Sequence, residues 1–352
     1  MTRTAAFWKD RRVLLTGHTG FKGAWATIWL RRLGACVTGY ALPPDTEPSL
    51  WKEACGGLLD AEFLHDLADR SAVRTAVERS RPEIVLHMAA QSLVRRSFAR
   101  PVDTFATNLM GTVHLLDALR AVEGLQAVLI VTTDKVYANS DQGRDFVEDD
   151  PLGGHDPYSA SKAAAEIATA SYAASFFREA GIAVATARAG NVIGGGDWSE
   201  DRLIPDVWRA AARGEAVALR NPEATRPWQL VVEPIAGYFA YAEALARGAD
   251  VPRALNFGPL PGDAVTVAQV AKAMGEALGA GRLWRKDEMS TPPEMKQLSL
   301  NPSRAIAALG WRPRLSCAEA VRWSAQWYSE REKGAEPLAL CQSQIEAYEA
   351  LA

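Results

Sequence analysis

Long apolar runs and charge of one sign are both scarce in this sequence. No stretch of about 18 apolar residues occurs, so the sequence predicts no membrane-spanning helix. The formal net charge is only -3, which argues against nucleic acid as a partner, since nucleic-acid binders usually present a basic face. The N-terminal segment MTRTAAFWKDRR carries charges where a secretory signal needs an apolar core, so we expect no signal peptide.

Cysteine is also rare, and no C-x-x-C pair occurs. The four cysteines are scattered along the chain, at Cys36, Cys55, Cys317 and Cys341. This spacing predicts neither a disulfide framework nor a metal site, and the histidines show no ligand spacing either. We therefore expect buried thiols, no metal and a reducing, cytoplasmic compartment.

The segment RRVLLTGHTGFKG is the most informative in the chain. An apolar run is followed by Gly17, Gly20 and Gly23, and a helical pattern then begins. A buried strand that turns through glycines into a helix N-terminus can hold a pyrophosphate, because free N–H groups and the helix dipole favour its negative charge. The spacing is G-x-x-G-x-x-G, so an ordinary turn is the alternative.

Apolar runs alternate with helical patterns through the first half of the chain. We predict strands over 13–16, 36–40, 62–65, 83–88, 127–132 and 183–187. We predict helices over 23–33, 71–79, 102–121 and 159–180. Near-continuous apolar strands that alternate with helices predict an α/β protein with a doubly wound parallel sheet of the Rossmann type.

The pattern changes after Gly190, where a glycine run (194–196) and several prolines occur. We expect loops and short elements there, then helices over 234–247, 265–278 and 316–328 and a strand over 253–257 that returns to the main sheet. The predicted division is a dinucleotide-binding domain of 1–190 plus about 234–257, and a smaller α/β lobe of 191–233 and 258–352.

Ligands of a doubly wound sheet bind beyond the carboxyl ends of its strands, so the residues that follow each strand are candidates for a site. Asp66 follows one strand and could accept a hydrogen bond from an adenine amino group. Leu42 follows the second strand, where an acidic residue would indicate NAD and an arginine NADP, so this position leaves the choice open.

Tyr158 and Lys162 form a Y-x-x-x-K pair. Residues four apart share one face of a helix, so the Lys162 charge favours the phenolate and is expected to lower the pKa of Tyr158 from about 10 toward neutrality. A phenolate can take the proton of a sugar hydroxyl while its carbon loses hydride. A packed tyrosine beside a solvated lysine is the alternative.

Together the three glycines, Ala89–Ala90, Asn108, Thr133 and the Tyr158/Lys162 pair resemble the extended short-chain dehydrogenase/reductases that act on nucleotide sugars. Longer motifs resemble the subgroup of 4,6-dehydratases that acts on CDP-glucose. They are GHTGFKG (17–23), AAQSLVRRSF (89–98), TTDKVY (132–137), DPLGGHDPYSASKAAAE (150–166), RAGNVIGGGDW (188–198) and RPWQ (226–229). The resemblance covers nearly the whole chain. It implies bound NAD, CDP-glucose in the smaller lobe, and a homodimer or a dimer of dimers.

The resemblance also implies individual roles. Tyr158 would be the base at the sugar 4-hydroxyl, Thr133 would hydrogen-bond O4, and Asp134 would be the acid for the leaving water. Lys162 would hold the phenolate and the cofactor ribose, and Lys135 would be the base at C5 or stabilise the enolate. The implied cofactor residues are Gly17, Thr19, Gly20, Phe21, Lys22, Gly23, Asp66, Leu67, Ala89, Ala90, Gln91, Asn108, Thr132, Tyr158, Lys162 and Arg188. The implied substrate residues are Asn191, Arg202, Leu203, Arg220 and Arg226.

Three functions remain open at this point: a dehydratase, an epimerase or reductase on the same scaffold, and a dinucleotide sensor without chemistry. The Thr133, Tyr158 and Lys162 set argues against the sensor, which has no need of a phenolate. Asp134–Lys135 argues against the epimerase, because the sugar-nucleotide dehydratases that the chain resembles carry Asp-Glu or Asp-Lys at these two positions. Dehydratases need this additional acid and base at C5 and C6.

Overall fold

The computed structural model describes residues 3–138, 143–260, 262, 265–280, 284–287 and 298–351. Its strands are β1 (Arg12–Thr16), β2 (Cys36–Ala41), β3 (Ala61–Leu64), β4 (Ile84–His87), β5 (Ala127–Val131), β6 (Ala183–Ala189), β7 (Val192–Ile193), β8 (Val217–Leu219), β9 (Thr225–Arg226), β10 (Gln229–Leu230), β11 (Ala254–Phe257), β12 (Val265–Thr266) and β13 (Trp284–Lys286). Seven of them form one parallel sheet in the order β11-β6-β5-β4-β1-β2-β3. The predicted Rossmann-type sheet is confirmed, as is the return of 253–257 to its edge as β11.

Helices cover both faces of this sheet. They are α1 (Arg3–Trp8), α2 (Phe21–Arg32), α3 (Leu50–Ala54), α4 (Arg70–Ser80), α5 (Val94–Ala99), α6 (Pro101–Phe105), α7 (Gly111–Leu119), α8 (Pro157–Tyr172), α9 (Leu203–Ala212), α10 (Val232–Ala246), α11 (Val267–Ala277), α12 (Ser303–Leu309), α13 (Cys317–Glu332) and α14 (Pro337–Glu349). One core joins the sheet to α2, α10, α13 and α14, and a second joins it to α4 and α7. Strands β4 and β5 are buried along their whole length, as expected of strands covered on both faces.

Local capping fixes where the functional helices begin. Asp156 accepts hydrogen bonds from the backbone N–H and the hydroxyl of Ser159, and Pro157 occupies the first position of α8. The helix therefore begins two residues before the predicted 159. Thr266 and Gln269 form a reciprocal capping box, so α11 begins at Val267 rather than at the predicted 265.

The predicted continuous helix over 102–121 is interrupted. A π turn, Ala106–Met110, separates α6 from α7, and a second π turn, Ala173–Phe177, follows α8. A π turn adds one residue to a helical turn, and the apolar periodicity of the sequence does not show such an insertion. The two π turns were therefore not predicted. Helices α3, α5, α9, α12 and α14 were also not predicted, and α5 and α9 both reach the site described below.

Among the described residues, no helix is long and apolar enough to span a membrane. The proposed domain boundaries remain a prediction.

Candidate active site

A deep cavity of about 1020 Å³ opens at the carboxyl ends of the central strands. The segments after β1, β2, β4, β5 and β6 form one side, and α9, β8 and β9 contribute to the other. Every predicted site residue lines this cavity except Asn108 and Arg188. One place in the fold thus collects residues that lie far apart in the chain.

The turn after β1 contains two glycines at positions where a side chain would not fit. Gly17 has a φ of 78°, and a Cβ there would lie 2.7 Å from the backbone nitrogen of Ala89. A Cβ on Gly23 would lie 2.0 Å from the carbonyl oxygen of Gly17. Helix α2 therefore begins directly against the turn, with no acidic residue in its first turn. Its positive end lines the cavity and fits a pyrophosphate.

The outer part of the cavity has the groups that an adenosine would need. The Thr19 hydroxyl donates to the Leu42 carbonyl oxygen at 2.8 Å, which joins the glycine turn to the end of β2. Oδ1 of Asp66 accepts from the Ala68 backbone N–H at 2.9 Å. Asp66 is exposed on the cavity rim, so its second carboxylate oxygen is accessible to a ligand.

Asn108 acts at one remove from the cavity. It lies in the π turn after α6, and its Oδ1 accepts from the Gln91 backbone N–H at 2.8 Å. Its Nδ2 donates to the Gln91 carbonyl oxygen at 3.0 Å and to Oγ of Ser161 at 2.9 Å. Asn108 therefore fixes the cavity-lining segment Ala89–Gln91 against α8. Its contact with the cofactor stays a prediction.

The Arg188 side chain is buried and binds other side chains of the protein. Its guanidinium forms an ion pair with Glu166 at 2.8 Å, with both side chains 4% exposed, and donates to the Tyr137 hydroxyl at 2.9 Å. The Thr132 hydroxyl also donates to Glu166, at 2.5 Å. Separating a buried ion pair destabilises a protein by roughly 3–5 kcal/mol, because one charge is left buried without a partner. The guanidinium of Arg188 is thus engaged by Glu166 and Tyr137, and its contact with the cofactor stays a prediction.

Three side chains predicted to be catalytic form a connected cluster. The Thr133 hydroxyl donates to Oδ1 of Asp134 at 2.9 Å, and it also shares a hydrogen bond with the Tyr158 hydroxyl. Thr133 follows β5, Asp134 opens the 3-10 turn Asp134–Val136, and Tyr158 lies in the first turn of α8. The cluster is buried, with Asp134 fully so and Tyr158 8% exposed. A hydroxyl base and a carboxyl group therefore meet at one wall of the cavity.

The structure corrects the expected ionisation of Tyr158. Burial raises the pKa of Tyr158 to about 12, and the hydrogen bond with Thr133 and the charge of Arg202 offset this only in part. Lys162 donates instead to the Val131 carbonyl oxygen at 2.9 Å. The protein residues alone thus do not make the phenolate, so a positively charged ligand group beside Tyr158 is required for it to act as a base at neutral pH.

Two lysines in the cavity have lowered pKa values. Burial lowers the pKa of Lys162 to about 8, although the charge of Glu166 acts in the opposite direction. Burial also lowers the pKa of Lys22 to about 7, and the nearby charges of Arg202 and Lys162 add to the effect. Cations crowded in this way favour the binding of an anion such as a diphosphate.

Lys135 has a different environment. Its Nζ donates to Oδ1 of Asp134 at 3.2 Å, and its side chain is 21% exposed. This contact places the lysine amine beside the carboxyl group of Asp134. Both roles left open by the sequence, base at C5 and stabiliser of an enolate, stay predictions.

Three arginines and an asparagine from the segments after β6 line the same cavity as the glycine turn. Arg226 is buried and donates to the Thr225 carbonyl oxygen at 2.8 Å. Arg202 donates to Oγ of Ser92 at 3.4 Å, and Arg220 lies 3.8 Å from Asp201. Oδ1 of Asn191 is buried without a hydrogen-bond partner among the described residues, which fits a group that contacts a ligand. Leu203 begins α9 beside them.

Sequence reasoning missed an ion-pair network at the mouth of the cavity. Arg95 pairs with Asp201 at 2.8 Å, and Arg96 pairs with Asp45 at 2.9 Å and with Glu200 at 3.0 Å. These pairs join α5 to the segment after β2 and to the segment before α9. Arg95 and Arg96 belong to the motif AAQSLVRRSF, so the sequence did mark their segment as functional. The sequence does not indicate with which carboxylates they form ion pairs.

Trp228, from the motif RPWQ, is 5% exposed and donates to the Val265 carbonyl oxygen at 3.3 Å. One edge of it lines the cavity.

No group of three His, Cys, Asp or Glu side chains in the described ranges could hold a metal ion. None of the four cysteines, all of which the structure describes, forms a disulfide, and Cys36 is half-buried whereas the prediction had all four buried.

These features define a dinucleotide-binding scaffold in which a tyrosine, a threonine and an aspartate meet in one cavity. Residues 13–258 match the model of the NAD dependent epimerase/dehydratase family, and the chain belongs to that family.

Two relatives of known name are similar to this chain over nearly its whole length. The chain is 41% identical over 348 residues to the CDP-glucose 4,6-dehydratase of Salmonella typhimurium, and the match covers 97% of each protein. It is 26% identical to the dTDP-D-glucose 4,6-dehydratase of Mus musculus, over 93% of each.

Solved structures agree on the fold. The Thermus thermophilus UDP-glucose 4-epimerase in complex with NAD superposes with a TM-score of 0.75 at 28% identity, over 89% of this chain and 97% of that one. The Bacillus anthracis dTDP-glucose 4,6-dehydratase in complex with NAD gives 0.76 at 20% identity, over 93% and 99%.

Proposed function

We propose that this protein is a lyase that converts CDP-glucose to CDP-4-keto-6-deoxyglucose. Its substrate class is the nucleotide sugars, its cofactor is NAD, and it is an enzyme of the nucleotide-sugar dehydratase family. The observation that carries the proposal is the hydrogen-bonded cluster of Tyr158, Thr133 and Asp134 in the cavity. An epimerase needs the first two, whereas a dehydratase also needs the acid.

The residues fit the cofactor. The close approach of Gly17 and Gly23 leaves no room for side chains in the turn, and α2 offers free N–H groups to the pyrophosphate. Asp66 would contact the adenine, and Lys162 would reach the nicotinamide ribose. When bound, NAD supplies an acceptor for the C4 hydride, returns that hydride to C6, and adds the positive charge of its oxidised ring beside Tyr158.

The chain's own residues would move the protons. Tyr158 accepts the proton of the sugar 4-hydroxyl, and Thr133 donates a hydrogen bond to O4 as it becomes a ketone oxygen. The ketone acidifies the C5 proton. A proton passes from Lys135 to Asp134 across their hydrogen bond, which leaves a neutral amine and a protonated carboxyl group. The amine takes the C5 proton while Asp134 gives its proton to the 6-hydroxyl, so that the C6–O6 bond breaks and water leaves. The Lys135 ammonium formed in this way lies beside the enolate and returns the proton to C5 when hydride reaches C6. Because Thr133 contacts both Tyr158 and Asp134, the two steps occur on neighbouring carbons of one bound sugar.

The nucleotide diphosphate would lie between the two sides of the cavity. Arg202, Arg220 and Arg226 are suited to bidentate phosphate contacts, and the Asn191 side chain has hydrogen-bonding capacity to offer. The choice of cytosine rests on the relative that is 41% identical.

The test is incubation with CDP-glucose and a catalytic amount of NAD. We expect a 4-keto-6-deoxy sugar, detected by its absorbance in alkali, without accumulation of reduced cofactor. Parallel reactions with dTDP-, UDP- and GDP-glucose measure the preference for the base. Epimerised sugar without a ketone would indicate an epimerase, and absence of turnover with retained NAD binding would indicate a sensor.

A further inference from the structure

Two buried polar atoms near the catalytic cluster have no hydrogen-bond partner among the described residues. They are Oδ2 of Asp134 and the hydroxyl of Tyr238. Asp134 is fully buried, and Tyr238 is 1% exposed. Buried polar atoms normally have a partner, because leaving one unsatisfied costs about 1–3 kcal/mol. The two atoms are complementary, since a phenol can donate a proton and a carboxylate oxygen accepts one.

The fold brings both residues to the same end of the sheet. Tyr238 lies on α10, which packs against β5, and Asp134 follows β5 almost directly. The Tyr238 ring packs edge-on against the Phe257 ring, with 5.5 Å between the two centroids. Nζ of Lys22 lies 5.7 Å from the centroid of the Tyr238 ring. Burial raises the pKa of Tyr238, and the charges of Tyr158 and Asp134 raise it further, so the phenol keeps its proton.

The neighbouring groups leave one acceptor for that proton. Nζ of Lys22 lies over the face of the Tyr238 ring, whereas the phenol hydroxyl donates in the plane of the ring. The Tyr158 hydroxyl is engaged with Thr133, which in turn donates to Oδ1 of Asp134. Lys135 also donates to Oδ1. Oδ2 of Asp134 is therefore the acceptor in this cluster for which the described part of the chain offers no donor.

We propose that Tyr238 is a positioning residue for the elimination step, and that its hydroxyl donates a hydrogen bond to Oδ2 of Asp134, through one bound water or after a small side-chain rotation. This role rests on the proposed function, in which Asp134 is the acid. In that step Asp134 gives its proton to O6, the C6–O6 bond breaks, water leaves, and the carboxylate keeps the negative charge. The hydrogen bond strengthens as that charge develops, so it stabilises the transition state of elimination and has little effect on the preceding oxidation.

The test is Tyr238→Phe in the full-length protein with NAD and CDP-glucose. In a single turnover, near-ultraviolet absorbance of the reduced nicotinamide follows the oxidation at C4, and alkaline absorbance of the quenched product follows elimination. We expect oxidation at the rate of the unaltered protein and elimination slowed about 10- to 100-fold, as for loss of a hydrogen bond to a charged group. Reduced cofactor should then accumulate transiently.

Tyr241→Phe is the matched control. It lies one turn further along α10, is also fully buried, and its hydroxyl donates to the Pro252 carbonyl oxygen away from the cavity. We expect both steps to keep their rates in this variant. Tyr238→Met, which also lacks the hydroxyl, gives the same measurement if Tyr238→Phe folds poorly.

A double-mutant cycle separates this role from a structural one. If Tyr238 acts through Asp134, Tyr238→Phe has no further effect on elimination in an Asp134→Asn background. The role is refuted if Tyr238→Phe slows both steps equally, leaves elimination unchanged, or keeps its full effect in that background. Failure of the unaltered protein to form any 4-ketone would instead refute the proposed dehydration, and this role with it.

Discussion

At the scale of single residues, Thr133 is the centre of the site. Its hydroxyl meets the Tyr158 phenol and the Asp134 carboxylate, and its Oγ1 accepts from the Lys135 backbone N–H at 3.4 Å. These contacts place a group for oxidation and a group for elimination within reach of one sugar ring. Each group can be removed separately.

Tyr158→Phe should reduce turnover about 100- to 10,000-fold, because it removes the only hydroxyl that can accept the 4-OH proton in the proposed mechanism. Binding of NAD, measured by calorimetry, should be almost unchanged. Equal losses of turnover and of NAD affinity would mean that the tyrosine has a structural role.

Asp134→Asn should slow elimination more than the first oxidation. Asparagine keeps the size of the side chain and can still hydrogen-bond Thr133, but it has no proton to give to O6. Single-turnover kinetics distinguish the steps, and we expect elimination to fall about 100-fold or more. A parallel fall in both rates would show that Asp134 is not the acid.

His87 should make the fold sensitive to mild acid. Burial, with the charge of Lys162, lowers the pKa of His87 to about 3, against about 6.5 in an unfolded chain. Between these values the unfolded chain binds a proton that the folded protein does not, so the free energy of unfolding falls as the pH falls from about 6.5 toward 3.

Urea denaturation at pH 7 and pH 5 measures this effect, with an expected loss of up to about 2 kcal/mol from His87. The difference between the two pH values should be smaller in His87→Asn. The exposed His65 provides the control, and His65→Asn should keep the full difference. An undiminished difference in His87→Asn would show that other groups cause it.

At the scale of elements, the start of α2 determines the cofactor site. Gly23→Ala would place a Cβ 2.0 Å from the Gly17 carbonyl oxygen, so the helix must move away from the turn. We expect a stability loss of about 1–3 kcal/mol and loss of NAD binding.

Gly20→Ala is the comparison, because its Cβ would lie 3.5 Å from the same oxygen, an ordinary contact, and its φ of -80° suits alanine. Its melting temperature should match that of the unaltered protein, whereas NAD binding weakens if the pyrophosphate approaches the backbone there. Equal stability losses in both variants would contradict the packing argument.

The elements also show where sequence reasoning ends. The strands of the seven-stranded sheet and the helix that carries Tyr158 and Lys162 were predicted because their apolar patterns and caps are local. The short strands outside that sheet were not predicted. The π turn that carries Asn108 was not, since its geometry is set by contacts with Gln91 and Ser161 in other segments. Helix α9 was missed because it follows a glycine- and proline-rich stretch that indicated loops.

At the scale of the whole molecule, α5 to α8 expose an unusual number of large apolar side chains. They are Phe98, Val102, Met110 and Ile167, with Phe176 in the π turn after α8. We propose that a second copy of the chain covers this face, as the predicted homodimer requires.

Light scattering after size exclusion tests the assembly. The unaltered protein should have the mass of a dimer or of a dimer of dimers, and Ile167→Glu should lower that mass. Leu351→Glu, at another exposed apolar position, should leave it unchanged. A monomeric unaltered protein would refute the proposed assembly.

The sequence by itself determined the parallel sheet, the glycine turn and the short strand–turn–helix motifs whose residues meet in the cavity. Each of these depends on patterns within about thirty residues, such as the strand–turn–helix unit. The tertiary structure alone decided how charges are partnered: it turned Arg188 toward Glu166, left Tyr158 with a raised pKa, and placed Tyr238 near Asp134. Burial and pairing are properties of the assembled core, where the neighbours of a side chain come from segments that the chain order does not bring together.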